Sequence, residues 1–170
     1  LMHELLFVAS GLRLPIVMIV ANRALSAPLN IWCDHQDSIS QRDTGWIQLY
    51  VENNQEALDT TLQAYKISEN PEVLLPTMVC MDGFTLTHSV ELVEIPDQNL
   101  VDKFLPQFKA HASLDPERPI TFGAFADPEW YTEFRYMQYE AMERAKKVII
   151  DVDNEFQQIF NRSYGGLISE

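Results

Sequence analysis

The sequence predicts an α/β fold, with a doubly wound, mostly parallel sheet, flanking helices and a long C-terminal helix. Residues 1–12 carry apolar side chains at helical intervals. Residues 16–20 then form a continuous apolar run rich in β-branched side chains, which is typical of a strand buried on both faces of a parallel sheet. A helix that leads into such a strand is half of a βαβ unit. Finally, apolar residues recur every three or four positions over residues 130–159.

Further elements are expected between the first strand and the long helix. They are a strand at 46–51, a helix from Asn53 or Asn54 to about residue 68, a strand at 73–80 and a short helix within 97–108. Pro76 cannot donate to a sheet ladder, so the strand at 73–80 is expected at an edge or a bulge. Residues 22–45 are predicted to form a long ordered loop, and such loops often carry function.

The long helix is predicted to begin with Asp127 as its N-cap and Pro128 in its first turn, and to close at Gly165-Gly166. About 30 helical residues span about 45 Å, which exceeds a domain of this size. The helix is therefore expected to pack on something beyond its own domain. We assign residues 1–112 to the C-terminal part of one domain and residues 113–170 to a linker and helix that lead into a next domain.

Composition and charge argue against several classes of protein: nucleic-acid-binding, membrane-spanning and iron–sulfur proteins. The 170 residues carry a formal net charge of −13, which disfavours nucleic acid as a partner. No apolar stretch reaches the roughly 18 residues of a membrane span. Cys33 and Cys80 lie in apolar stretches outside any Cys-x-x-Cys motif, so we expect two buried free thiols and no iron–sulfur cluster held by this chain. The sequence opens within an apolar pattern without a signal peptide, which suggests missing upstream sequence and a cytoplasmic protein.

Arg23 directly follows the first predicted strand. In open α/β sheets, ligands bind outside the carboxyl ends of the strands. An arginine there can hold a carboxylate through two parallel hydrogen bonds. From position alone, a surface salt bridge or a bond to backbone carbonyls remains an alternative.

The loop after Arg23 is rich in polar side chains. Asp34, His35 and Asp37 are chemically possible metal ligands, but their spacing fits no standard metal motif. A hydrogen-bonded loop in which His35 and Arg42 neutralise the acids is favoured, so no metal site is predicted, and a carboxylate–histidine metalloenzyme is the alternative. His88 suits either a general base or a structural role. No glycine-rich phosphate loop is present, so the chain is not expected to hold a diphosphate unaided.

Several motifs together resemble a known family. They are Arg23-Ala24-Leu25, the run Ala27-Pro28-Leu29-Asn30-Ile31-Trp32-Cys33-Asp34-His35-Gln36-Asp37, Gln41-Arg42-Asp43-Thr44-Gly45, Met81-Asp82-Gly83-Phe84 and Thr87-His88. In this order and spacing they resemble the alpha subunit of pyruvate:ferredoxin (flavodoxin) oxidoreductases, in its pyrimidine-side thiamine diphosphate-binding domain. The likeness covers nearly the whole chain.

This resemblance implies an activity and a set of partners. The family oxidatively decarboxylates pyruvate to acetyl-CoA and carbon dioxide, with coenzyme A as the acyl acceptor. Thiamine diphosphate lies between two doubly wound domains, and a beta-type partner subunit would supply the diphosphate and magnesium site. Iron–sulfur clusters would lie only in partner subunits or domains and pass electrons to ferredoxin. Pyruvate itself, rather than another 2-oxoacid, is the expected substrate.

The resemblance also implies roles for single residues. Arg23 matches the arginine that binds the substrate carboxylate. The other matching positions have no assigned chemical step and are expected to shape the active-site floor or a subunit contact: Asp34, His35, Asp37, Arg42, Thr44, Asp82, Phe84 and His88. The family's cofactor-activating glutamate lies upstream of the first helix, so no catalytic residue is assigned and the isolated chain is expected to be inactive. A non-catalytic interaction subunit of the same fold is the alternative.

Overall fold

The computed structural model describes residues 2–110, 112–123 and 125–168. In chain order, the elements are α1 (Met2–Gly11), β1 (Val17–Asn22), α2 (Gln36–Ile39), a 3-10 turn (Arg42–Thr44), β2 (Ile47–Tyr50), α3 (Asn54–Glu69), β3 (Thr77–Asp82), α4 (Thr85–His88), α5 (Gln98–Phe104) and α6 (Pro128–Phe160). The predicted α/β fold with a long C-terminal helix is confirmed.

The described strands form a three-stranded parallel sheet in the order β1-β3-β2. β3 is thus central, and the prediction that Pro76 places this strand at an edge or a bulge is wrong. Pro76 lies one residue before β3, where no ladder donor is needed. Its carbonyl accepts a hydrogen bond from the Ile47 amide at 3.0 Å.

Helices cover both faces of the sheet. Alternating β3 residues point to opposite faces. Met78 and Cys80 pack in a cluster with Leu6 of α1, whereas Val79 packs with Ala64 of α3. α6 packs against α3 and α5 and completes the largest core cluster. None of the helices formed by the described residues is long and apolar enough to cross a bilayer.

α6 has 33 residues, and its predicted start is confirmed by Asp127 as N-cap and Pro128 in the first turn. Its predicted end is wrong. The helix ends at Phe160 because Asn161 adopts a left-handed conformation (φ 56°), a common way to stop a helix. The predicted apolar stripe is buried only in its second half, at Ala141, Ala145, Val148, Val152 and Phe156, whereas Trp130, Phe134 and Met137 are exposed.

α3 begins at a capped end. Of the two asparagines considered, Asn53 is the cap, and its side-chain oxygen accepts a hydrogen bond from the Glu56 amide at 2.9 Å. The Glu56 carboxylate in turn accepts from the Glu52 amide at 2.7 Å. Both bonds satisfy backbone donors that the helix itself cannot pair.

Asn53→Ala should therefore lower the free energy of opening α3 by about 1 kcal/mol, since one amide loses its acceptor. Faster hydrogen exchange of the α3 amides would measure this loss. Asn54→Ala is the matched control, because Asn54 contributes only its backbone amide to a hydrogen bond, with Glu91. Equal exchange in the two variants would contradict the assignment of Asn53 as the cap.

Candidate functional site

The candidate site lies where β1 and β3 end side by side. Asn22 pairs with Asp82 at the last position of the two parallel strands. Arg23 and Gly83 then leave the sheet at the same edge. This carboxyl edge is where open α/β sheets bind ligands.

Gly83 allows the segments that follow β1 and β3 to approach each other closely. Its amide donates to the Asn22 carbonyl at 2.7 Å. A Cβ atom at position 83 would lie 2.3 Å from that same oxygen, so any larger residue would force the backbone to move. The glycine therefore holds the segment that carries α4 against the end of β1.

Arg23 is an exposed side chain with one nitrogen already occupied. Its Nη1 donates to the carbonyls of Ala24 and Asn30, at 3.0 and 3.2 Å. Within the described part of the chain, no hydrogen-bond acceptor meets Nε or Nη2. The guanidinium is thus fixed at one corner and retains donors that a planar anion can use.

Asp37 connects α2 to the end of β1. Its Oδ1 accepts from the Asn22 side-chain amide at 2.6 Å and from the Ser38 amide at 2.8 Å. Its Oδ2 accepts from the Arg23 amide at 3.1 Å. Asn22 is fully buried, and its Oδ1 has no hydrogen-bond partner among the described residues.

Asp34 and His35 precede α2 and make more local contacts. Asp34 Oδ1 accepts from the Gln36 amide at 2.7 Å, which shapes the turn into the helix. The His35 ring packs edge-on against Tyr50, with centroids 4.9 Å apart. Its Nδ1 is buried without a hydrogen-bond partner in the described chain.

Arg42 and Thr44 lie in the 3-10 turn and do not hydrogen-bond to Arg23. The exposed Arg42 side chain lies 3.9 Å from Asp43. Thr44 is buried, and its Oγ1 donates to the Gln41 carbonyl at 2.6 Å. Its carbonyl accepts from Ser10 of α1 at 2.5 Å. In this structure, Thr44 anchors the loop to α1, and an active-site or interface role for either residue stays a prediction.

Three rings, those of Trp32, Phe84 and His88, form an aromatic row beside the end of β3. The Phe84 ring lies 4.4 Å from the Trp32 ring and stacks on His88 at 5.2 Å, measured between centroids. Trp32 is 59% exposed, so this row faces outward. The His88 Nδ1 lies 3.0 Å from the Thr87 hydroxyl. The contact of Trp32 with Phe84 was missed, because it joins residues far apart in the sequence.

Asp82 closes the turn that leads into α4. Its Oδ1 accepts from the Phe84 and Thr85 amides, each at 2.7 Å. A hydrogen bond from the Cys33 thiol and those two amides lower the pKa of Asp82 to about 2, although some burial opposes them. The carboxylate is therefore charged under ordinary conditions and serves as an acceptor.

The two cysteines differ. Cys80 is buried as predicted, and burial is the main reason that the pKa of its thiol rises to about 11. The prediction that Cys33 is buried is wrong. Cys33 is exposed at the carboxyl edge, with its sulfur 3.3 Å from the Thr85 hydroxyl. Its apolar neighbours Ile31 and Trp32 are exposed as well, so local hydrophobicity was a misleading signal.

Within the described ranges, no three His, Cys, Asp or Glu side chains come together in a way that could hold a metal ion. Asp37 instead accepts from amide groups, and Asp34 shapes a turn. The metalloenzyme alternative therefore gains no support.

Comparison with known proteins places this chain in a family. Residues 1–154 match the model of the pyruvate flavodoxin/ferredoxin oxidoreductase, thiamine diphosphate-binding family. The chain belongs to this family. The predicted resemblance is thereby confirmed.

Curated relatives agree with the family match. The chain is 64% identical to pyruvate synthase subunit PorA of Methanocaldococcus jannaschii over 170 residues, which is 99% of this chain and 44% of the relative. It is 62% identical to the Pyrococcus abyssi PorA over 96% of this chain and 42% of the relative. It is 51% identical to ketoisovalerate oxidoreductase subunit VorA of Pyrococcus abyssi over 100% of this chain and 43% of the relative. The chain thus spans less than half of the length of these relatives.

The family implies thiamine diphosphate. At the edge, the buried Asn22 Oδ1 has no hydrogen-bond partner among the described residues and fits a donor of this cofactor, whereas the donors left on Arg23 fit a planar anion. The sequence has no glycine-rich phosphate loop, and the described residues contain no cluster of ligands for a metal ion.

Proposed function

We propose that this chain forms part of the alpha subunit of a 2-oxoacid:ferredoxin oxidoreductase. Residues 1–112 would be the C-terminal part of its pyrimidine-side domain, and residues 113–170 would lead into a further domain. The complete enzyme would convert pyruvate and coenzyme A to acetyl-CoA and carbon dioxide, with electrons passed to ferredoxin. The observation that carries this proposal is Arg23, fixed at the carboxyl edge with donors left for a carboxylate.

In this proposal, the chain binds and orients the 2-oxoacid. Arg23 pairs with its carboxylate through Nε and Nη2, a geometry that guanidinium groups favour. The row of Trp32, Phe84 and His88 borders the same edge. Bound thiamine diphosphate supplies the electron sink for decarboxylation.

Partner subunits would supply the remaining groups. The diphosphate and its magnesium ion would be held by a beta-type subunit, since no group of described His, Cys, Asp and Glu side chains could hold a metal ion. Iron–sulfur clusters would also lie in partner subunits or domains, because this chain has only two cysteines, one buried and one exposed. The word "subunit" in the names of the relatives supports an assembly of several chains.

Pyruvate is the preferred substrate in this proposal. The relatives compared at 57–64% identity are all named for pyruvate, whereas those at 48% and 51% are named for pyruvate and for ketoisovalerate, respectively. Pyruvate and ketoisovalerate differ in the size of the group attached to the keto carbon. The carboxylate that Arg23 would bind is common to both.

The proposal is tested by assaying the full-length subunit together with its partner subunits. We expect ferredoxin reduction that requires pyruvate, coenzyme A and added thiamine diphosphate, with slower turnover of ketoisovalerate. An assembled complex that binds thiamine diphosphate but oxidises neither 2-oxoacid would contradict the proposal and favour a non-catalytic subunit.

A further inference from the structure

We propose that Asp37 is a positioning residue that fixes the backbone at Arg23, so that the guanidinium faces the carboxylate of the 2-oxoacid. This inference rests on the proposed function, because it assigns Asp37 a purpose only if Arg23 binds substrate. It concerns a residue that matches the family motif without an assigned chemical step.

Asp37 holds the backbone of the chain directly after the last paired residue of β1. Up to Asn22, the backbone of β1 is held by pairing with β3. Arg23 lies one residue beyond that pairing, and its amide donates to Asp37 Oδ2 at 3.1 Å. A carboxylate is a stronger acceptor than a neutral carbonyl, so this contact can order a residue that the ladder no longer holds.

The second oxygen of Asp37 fixes the position of the first. Oδ1 accepts from the side-chain amide of Asn22 at 2.6 Å and from the Ser38 amide at 2.8 Å. Asn22 is fully buried and also donates to the Ser38 hydroxyl at 2.8 Å. The carboxylate is therefore oriented by a buried group of β1 and by its own helix, which leaves it little freedom to rotate away from Arg23.

The side chain of Arg23 is held separately from its backbone. Nη1 donates to the carbonyls of Ala24 and Asn30, and the Ala24 amide donates to the Trp32 carbonyl at 3.1 Å. Asp37 fixes the backbone from which the Arg23 side chain extends, and the carbonyls of Ala24 and Asn30 fix the position of its Nη1. Both constraints are needed for Nε and Nη2 to point in one direction, and small misplacements of a binding group weaken binding steeply.

Asp115 provides a control outside the candidate site. It is also an aspartate whose Oδ1 accepts from a nearby backbone amide, that of Glu117 at 2.9 Å. No hydrogen bond or ion pair in the described structure joins Asp115 to Arg23 or Asn22. Neutralising Asp115 changes the net charge by the same amount as neutralising Asp37 and leaves the hydrogen bonds of Arg23 intact.

The test is Asp37→Asn in the complete oxidoreductase. An asparagine can keep the acceptor that faces Asn22 and Ser38, but its amide group would then point a donor at the Arg23 amide. We expect the KM for pyruvate to rise about tenfold. We expect kcat and the Kd for thiamine diphosphate to stay within about twofold of wild type, as should every parameter of Asp115→Asn.

A double-mutant cycle separates positioning from general structural damage. In an Arg23→Ala background, Asp37→Asn should change KM by less than about twofold, since there is no guanidinium left to position. If Asp37→Asn prevents assembly of the enzyme, Asp37→Glu takes its place. It retains the charge but moves the carboxylate by one methylene, and it should raise KM in the same Arg23-dependent way.

Other results overturn the inference in distinguishable ways. If Arg23→Ala raises KM while Asp37→Asn behaves like Asp115→Asn, or if the two effects add fully, positioning is refuted and the proposed function stands. A fall in kcat or in thiamine diphosphate affinity without a change in KM likewise refutes positioning. If Arg23→Ala leaves KM unchanged, the proposed role of Arg23 fails, and the role of Asp37 fails with it.

Discussion

Replacing Arg23 with Ala in the complete oxidoreductase should raise the KM for pyruvate by about 10- to 100-fold. The estimate follows from losing a charge-assisted pair of hydrogen bonds, worth about 1.5–3 kcal/mol, where each 1.4 kcal/mol corresponds to about tenfold. The alanine also removes the contacts of Nη1 with the Ala24 and Asn30 carbonyls. Steady-state kinetics at saturating coenzyme A would measure the change.

Arg118→Ala is the control for the loss of a positive charge. Arg118 is exposed, and its backbone amide rather than its side chain makes the hydrogen bond with Asp115. Its replacement should leave KM within about twofold of wild type. Arg23→Lys should recover only part of the affinity, because an ammonium group cannot form the paired, planar contact. Full recovery by lysine would argue against two-point binding of the carboxylate.

Asp59→Asn should be the most destabilising of the substitutions considered. Asp59 of α3 is fully buried and accepts from Arg162 Nε at 2.6 Å, from Arg162 Nη2 at 3.1 Å and from the Tyr164 hydroxyl at 2.7 Å. These bonds tie the segment after α6 to α3. Burial and the neighbouring Asp59 carboxylate raise the pKa of Tyr164, and the bond to Asp59 raises the pKa of Arg162, so Tyr164 donates as a neutral phenol and Arg162 as a cation.

Removing the charge at position 59 leaves Arg162 without its main partner. Breaking a buried pair costs about 3–5 kcal/mol, and we expect about 3 kcal/mol because the Arg162 side chain retains some exposure. Hydrogen exchange of the α3 amides should therefore accelerate by about 100-fold. Asp151→Asn, which breaks an exposed pair with Lys147, should change exchange by less than about fivefold. Similar exchange in the two variants would show that the Asp59 network contributes little.

Elements with local signals could be predicted from the sequence. The apolar run of β1 indicated a parallel strand, and Asp127 with Pro128 marked the start of α6. The predicted burial of β1 on both faces is wrong, because β1 lies at an edge of the described sheet and Ile19 is 49% exposed. The end of α6 was misplaced because two glycines outweighed Asn161 as a stop signal, although asparagine also adopts the left-handed conformation. Pro76 was assigned to the interior of a strand that in fact begins one residue later.

Contacts between distant residues could not be predicted in this way. Position relative to β1 and the family motif both singled out Arg23. Neither of these two signals revealed that Asp37 accepts hydrogen bonds from Asn22 and Arg23. These residues are 15 and 14 positions from Asp37, and a hydrogen bond over such a separation produces no periodic pattern in the sequence. The pair of Asp59 and Arg162, 103 residues apart, was missed for the same reason. Exposure of Cys33 depended on the course of the whole loop rather than on its apolar neighbours.

The most direct test of the account is equilibrium binding of oxamate to the complete enzyme with Arg23 or with Ala at that position. Oxamate presents the carboxylate of pyruvate beside an amide that does not react, so calorimetry reports binding alone. We predict that Arg23→Ala weakens oxamate binding by about 10- to 100-fold while thiamine diphosphate binds as in wild type. Equal oxamate affinity in the two proteins would contradict the claim that Arg23 binds the carboxylate.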